Sequence, residues 1–223
     1  MSELIDRLAY CVERGKVNRD SKYPPDLLGQ DGASELCQMS LENDAAPDEI
    51  LKNALMVGMR RVGDQFAEGK AFIPELLISA KAMSAALEHL KPYFDSGEVR
   101  RKGVVIIGTV AGDIHCLGKN IIGMVLQGSG WEVVNLGENV SSEQFLEAVQ
   151  AHPGAIIAMS SLLTTTMGNM ETTASMLKEN VPDVPIYIGG APVTQAFADK
   201  IGVTGYFPDP QSFSIHLDRV HGF

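Results

Sequence analysis

In the stretch GDIHCLGKN a carboxylate, Asp113, stands two positions before an imidazole, His115, and Gly118 follows three positions later. When a carboxylate holds the proton of one ring nitrogen, the other nitrogen turns its lone pair outward, as in a metal-bound histidine with its orienting partner. The same residue types also serve as plain hydrogen-bonders of a turn, so other loops must agree. Spacing excludes two nucleotide chemistries. A dinucleotide fingerprint needs GxGxxG, which Gly108, Gly112 and Gly118 do not form. A P-loop needs four residues before its Gly-Lys pair and then Ser or Thr, whereas five separate Gly112 from Gly118, and Lys119 precedes Asn120. Cys116 lies beside the histidine, but nothing in its surroundings marks a reactive thiol.

Two later stretches carry groups of the same kind. MSSLLTTTMGNM offers Ser160, Leu162, Thr164 and Thr166, and Gly189-Gly190 leaves room for a ligand against the backbone. Ser/Thr runs also cap helices, and Gly-Gly before Pro192 also serves as a turn into one.

The elements that position these groups follow from hydrophobic period. VVIIGTV (104–110), WEVVNLG (131–137), AIIAMSS (155–161) and PIYIGG (185–190) are short apolar runs, each followed by a loop and a helical pattern, and Thr204 to Phe207 adds a fifth. Continuous apolar runs mean strands covered on both faces, hence a doubly wound parallel five-stranded sheet. Its ligand belongs beyond the carboxyl ends of the strands, where all three motifs fall. Before residue 95 the period is helical throughout. Leu4, Leu8, Cys11 and Val12 mark a first helix, and Leu36, Cys37 and Met39 a second. A third starts near Pro47 with the stripe Leu51, Leu55, Met59, Val62 and Phe66, where Gly58 and Gly63 permit close backbone approach. A fourth opens at Pro74, runs through Leu76, Ala80, Met83, Leu87 and Leu90, and closes at Pro92. The organisation is a helical bundle over residues 1–92, a charged linker over 93–103 that would act as a hinge, and an α/β domain over 104–223.

With 18 basic and 28 acidic residues the net charge is −10, which argues against nucleic acid and anionic membranes as partners. No apolar run is long enough to span a bilayer and no signal peptide is present, so a cytoplasmic location is expected. The three cysteines lack the spacing of a disulfide framework or zinc finger.

DxHxxG, then SxL, then GG resembles the fingerprint of cobalamin-binding domains related to methionine synthase and the corrinoid methyltransferases. The intervals agree, with 41 residues between Gly118 and Ser160 and 28 between Ser160 and Gly189. The resemblance implies a Rossmann-like, flavodoxin-like domain that binds cobalamin base-off. His115 would be the lower axial cobalt ligand, Asp113 its hydrogen-bond partner, and Thr166 the third member of the relay. Ser160, Leu162, Thr164, Gly189 and Gly190 would line the channel of the displaced nucleotide tail. The N-terminal half is similar to the four-helix cap that precedes such domains, with VGxxFxxGxxFxPE complete from Val62 to Glu75. That likeness implies that Phe66 and Ile73 cover the upper face of the corrin; the alternative is that both fill the bundle core. The segment from about 15 to 45 departs from the family's shorter first hairpin.

The implied function is that of a free-standing methyl carrier cycling between methylcobalamin and cob(I)alamin. It would take the methyl group from a substrate-specific methyltransferase, of methyl-ether O-demethylase or methylamine type. A second methyltransferase would pass that group to tetrahydrofolate or a thiol, and a reductive activating protein would be a further partner. The alternatives are a cobalamin-dependent sensor and the small subunit of a carbon-skeleton mutase, the latter disfavoured by the cap.

Overall fold

In the computed structural model, which describes residues 2–222, the second half of the chain is a five-stranded, wholly parallel sheet in the order β2-β1-β3-β4-β5. The strands are β1 (Val104–Thr109), β2 (Glu132–Asn135), β3 (Ile156–Ser160), β4 (Ile186–Gly189) and β5 (Gly205–Tyr206). Each lies inside the run read from the sequence. Helices α6 (Leu117–Gly128), α7 (Ser142–Ala151), α8 (Met167–Asn180), α9 (Gln195–Ile201) and α10 (Pro210–His221) complete it. Alternation along the strands divides the core. Ile106, Ile157, Met159, Ile186 and Ile188 pack toward one face with Phe145, Val149, Met170 and Leu177. Val105, Ile107, Ile156 and Tyr187 pack toward the other with Leu126, Phe213 and Leu217. Burial on both faces is why the strands carry no polar alternation.

The register does the positioning. Thr109 pairs with Ser160, and Ser160 with Gly189, so three loops leave the sheet side by side at its carboxyl edge. The strand order turns back between β1 and β3, which makes the gap between their following loops the topological switch point.

The remaining residues form a separate helical unit through Arg101, grouped with Gly128–Gly130. Its helices are α1 (Ser2–Arg14), α2 (Ala33–Glu42), α3 (Pro47–Ile50), α4 (Met56–Ala67) and α5 (Ile73–Asp95). A π turn at Leu51–Leu55 joins α3 to α4, so the third helix expected from the stripe is continuous but locally unwound. Gly58 is required there, since a Cβ would lie 2.5 Å from the Ala9 carbonyl oxygen. Pro92 does not end the fourth helix, contrary to the sequence reading. It removes one N–H from the ladder, but Ser96 N–H reaches the Pro92 carbonyl and Gly97 N–H that of Phe94, which carries the last turn past it. Cys37 is buried and its thiol pushed up to about 12 by desolvation, so it acts as an apolar filler. No helix among the described residues is long and apolar enough to cross a membrane.

Candidate functional site

After β1 the chain makes a turn with Gly112 at φ 80°, braced by Asn139 Oδ1, which accepts from the Gly112 N–H at 2.7 Å. The turn drives Asp113 inward, where its side chain has no solvent exposure, and leaves the His115 side chain 45% exposed. Asp113 Oδ1 accepts from the His115 backbone N–H at 3.0 Å and lies 2.8 Å from His115 Nδ1. A carboxylate can only accept, so Nδ1 carries the proton and Nε2 bears the lone pair. Thr109 Oγ1 donates to the His115 carbonyl at 3.1 Å and ties the histidine to the end of β1.

The loop after β3 supplies the other side. Asp113 Oδ2 accepts from the N–H of Leu162 at 2.7 Å and of Leu163 at 3.3 Å, and from Thr166 Oγ1 at 3.0 Å. Burial alone would raise the Asp113 pKa. The N–H groups of His115 and Leu162, the imidazole and the Thr166 hydroxyl outweigh it and hold the carboxyl well below the usual carboxylate range. Thr166 is buried, and its Oγ1 lies 2.8 Å from the equally buried Ser161 Oγ. The relay read from the sequence as His115, Asp113 and Thr166 therefore has a fourth member, the Ser161 hydroxyl, which sequence reasoning passed over. Its only signal was the doubled serine at the end of β3.

The remaining candidates divide. Ser160 and Gly189 line a cleft of about 350 Å³, measured out to its open mouth, together with Ile107, Lys119, Ile122 and Tyr187. About 20 Å³ of it has room for the centre of a water. Leu162 and Thr164 are exposed and do not line it, and Leu162 reaches the site through its N–H. Gly190 is occupied differently from expectation. A Cβ there would lie 1.8 Å from the Ser161 carbonyl oxygen, and its φ of 128° disfavours any side chain, so the missing group admits the β3 loop. Gly118, in the first turn of α6, is the converse case: its φ is not positive and a Cβ would meet nothing within 4 Å, so the protein itself does not demand glycine. Ile114, Leu117, Leu162 and Leu163, on the two segments that meet at Asp113, are exposed apolar side chains.

Lys119 was also missed. It is 2% exposed, donates to Asn120 Oδ1 at 2.7 Å and to Asn135 Oδ1 at 2.6 Å, and burial lowers its pKa. It fastens the start of α6 to the end of β2. In the helical unit, Phe66 is half-buried, Ile73 is 38% exposed and the adjacent Phe72 66% exposed.

Among the described residues no three His, Cys, Asp or Glu side chains cluster to hold a metal ion. His115 supplies one nitrogen on an apolar, open surface, which suits a metal whose other positions are filled by a flat macrocycle. The residues present fit such a group: a free Nε2, an apolar rim, and a glycine facing open space.

Comparison with known proteins points the same way. A B12 binding domain family matches residues 103–211, and a second B12 binding domain family matches residues 28–91. The second match begins inside the segment that the sequence reading set apart. Trimethylamine corrinoid protein 2 of Methanosarcina mazei is 40% identical over 178 residues, 78% of this chain and 82% of that protein. Dimethylamine corrinoid protein 1 of Methanosarcina acetivorans is 40% identical over 163 residues, 72% of this chain and 76% of that protein. Among solved structures, the methanol:cobalamin methyltransferase complex of Methanosarcina barkeri aligns with a TM-score of 0.83 at 31% identity, covering 99% of this chain and 80% of the matched chain.

Proposed function

This chain belongs to the B12-binding corrinoid proteins, and on that basis we propose that it carries a methyl group on a base-off cobalamin whose lower axial ligand is His115. The observation that carries the reading is the half-exposed imidazole at the switch point, its Nδ1 held at 2.8 Å by a fully buried carboxylate. Cobalamin, when bound, supplies a cobalt centre that accepts and releases methyl groups.

The chain's own residues do the rest. Asp113 keeps the proton on Nδ1, so Nε2 is free to donate its lone pair, and the negative carboxylate makes that nitrogen a better donor. With cobalamin bound, His115 would hold the cobalt through Nε2, and Asp113 would keep the ring in that orientation. The N–H groups of His115 and Leu162, the imidazole and the Thr166 hydroxyl keep Asp113 ionised, and Ser161 pairs with that hydroxyl. Ser160 and Gly189 border the cleft assigned to the displaced nucleotide tail, with apolar walls from Ile107 and Ile122. The cleft must widen to admit a base. Gly118, on the segment that follows His115, faces open space that the macrocycle would use, and the exposed Leu162 and Thr164 are assigned to contact with the tail. Phe66 and Ile73 of the helical unit would supply apolar cover, which excludes water from a reactive methyl group.

The relatives' names favour methylamines or methanol as methyl donors over methyl ethers, through a substrate-specific methyltransferase. Partners of the same system are an acceptor methyltransferase using a thiol or tetrahydrofolate, and a reductive activating protein. The test is reconstitution with hydroxocobalamin, reduction, and incubation with trimethylamine, dimethylamine, methanol or phenyl methyl ether and the corresponding methyltransferase. Methylation of the bound cofactor by one donor and its discharge by an acceptor enzyme is the expected result. A bound cofactor that no donor system methylates would remove the carrier role.

A further inference from the structure

The cleft that Ser160 borders is also lined by an aromatic cluster with one polar atom that nothing so far uses. Tyr187 is 3% exposed, and its ring centroid lies 5.1 Å from that of Phe213 and 5.8 Å from that of Phe207; all three residues line the cleft. Its hydroxyl makes one hydrogen bond among the described residues, 3.2 Å from His216 Nε2.

The direction of that bond follows from the far side of the imidazole. Arg219 Nη2 lies 3.4 Å from His216 Nδ1, and a guanidinium can only donate, so Nδ1 is the accepting nitrogen. Burial, with Arg219 and His221 nearby, lowers the His216 pKa and keeps the ring neutral. A neutral ring that accepts at Nδ1 carries its hydrogen on Nε2, and that hydrogen points at the tyrosine oxygen. Among the described residues the phenol's own hydrogen is thereby left without an acceptor, on a side chain that lines the cleft and is almost wholly buried, a costly state for a donor.

A nucleotide base that has released its metal has the complementary defect. The ring nitrogen that formerly bound the cobalt carries a free lone pair, and burying it beside Ile107, Ile122 and the two phenylalanines leaves it unsatisfied. We infer that Tyr187 reads the displaced base of the cofactor's nucleotide tail, its hydroxyl donating to the freed ring nitrogen while Phe207 and Phe213 pack against the ring. The inference rests on the base-off reading above, and it makes Tyr187, positioned by His216 and Arg219, a determinant of which tail bases the protein accepts.

The experiment measures binding of three corrinoids to wild type and to Tyr187→Phe by visible absorption. They are hydroxocobalamin, a cobamide whose base is a phenol without a ring nitrogen, and cobinamide, which has no nucleotide. Loss of one neutral hydrogen bond should weaken hydroxocobalamin about fivefold. Unchanged binding of the other two shows that the variant is folded and the effect specific. An equal loss for all three, or none for hydroxocobalamin, overturns the role of Tyr187 and leaves the cofactor reading standing. Wild type that binds none of them overturns the cofactor reading and this inference with it. Independently of any variant, wild type loaded with cobalamin labelled with 15N in its base should show the ring nitrogen shifted to a hydrogen-bonded position; a resonance at the unbonded position overturns the inference.

Discussion

Replacing Asp113 with asparagine tests the relay at its centre, because the change keeps the shape and removes the charge. The carboxylate accepts five hydrogen bonds, two at Oδ1 and three at Oδ2. An amide must turn its NH2 toward one of these groups. On the Oδ2 side it meets the backbone N–H groups of Leu162 and Leu163, which cannot accept. On the Oδ1 side it meets one backbone N–H and the His115 ring, which can accept if its proton moves from Nδ1 to Nε2. The second arrangement is the cheaper. It loses the bond to the His115 N–H and weakens those at Oδ2 from charge-assisted to neutral, a cost of about 3 kcal/mol in total. For a chain of this size that lowers the thermal midpoint of the cofactor-free protein by roughly 6–12 °C. It also puts the proton on the nitrogen that faces the metal, so axial ligation should fail even in protein that remains folded. Circular dichroism against temperature measures the first effect and the visible spectrum of the cobalamin complex the second. A variant within about 0.5 kcal/mol of wild type that keeps the wild-type spectrum would refute the reasoning, since additive surface changes produce shifts of that size.

Acid sensitivity follows from the same group. The Asp113 pKa is depressed in the fold, so its contribution is complete above the unfolded value of about 4 and is lost as pH falls below it toward the lower folded value. Acid unfolding of wild type should therefore be steeper below about pH 4 than that of Asp113→Asn, and parallel curves would contradict this. Thr166→Val removes one hydroxyl from Asp113 Oδ2 and should cost on the order of 2 kcal/mol in urea unfolding, with Thr166→Ser recovering most of it. Gly190→Ala places a methyl group against the Ser161 carbonyl and should cost on the order of 3 kcal/mol or prevent soluble expression. A variant of wild-type stability would show that the β3 loop yields freely. Gly118→Ala, by contrast, should leave the thermal midpoint unchanged or slightly higher yet weaken hydroxocobalamin binding, because only a ligand fills the space it faces.

Much of the site could be read from the chain because its chemistry is local to strand ends. The turn residues after β1 bury Asp113 and leave the His115 ring half exposed beside it, and short apolar runs fix which edge of the sheet that loop leaves. Asp113 and Thr166 are 53 positions apart, yet parallel registry puts their loops in contact. What escaped the sequence is what depends on backbone direction. Leu162 has a suggestive side chain, but its N–H does the work, and no pattern of residue types encodes that. Gly190 looked like space for a ligand and is space for the Ser161 backbone instead. Ser161 was marked only by the doubled serine, because burial of a serine hydroxyl depends on the partner that the fold brings to it. In the helical half, the π turn at Leu51–Leu55 and the turn beyond Pro92 are small departures that packing imposes on an otherwise regular period.

Whether the His115 imidazole binds the metal is decided most directly by electron paramagnetic resonance of the one-electron-reduced cobalt(II) complex, prepared with 15N-histidine protein and unlabelled cobalamin. Each cobalt line should split into a doublet from 15N, and the doublet should vanish in His115→Ala. A triplet, the mark of the cofactor's own 14N base still seated on cobalt, would contradict axial ligation by the protein.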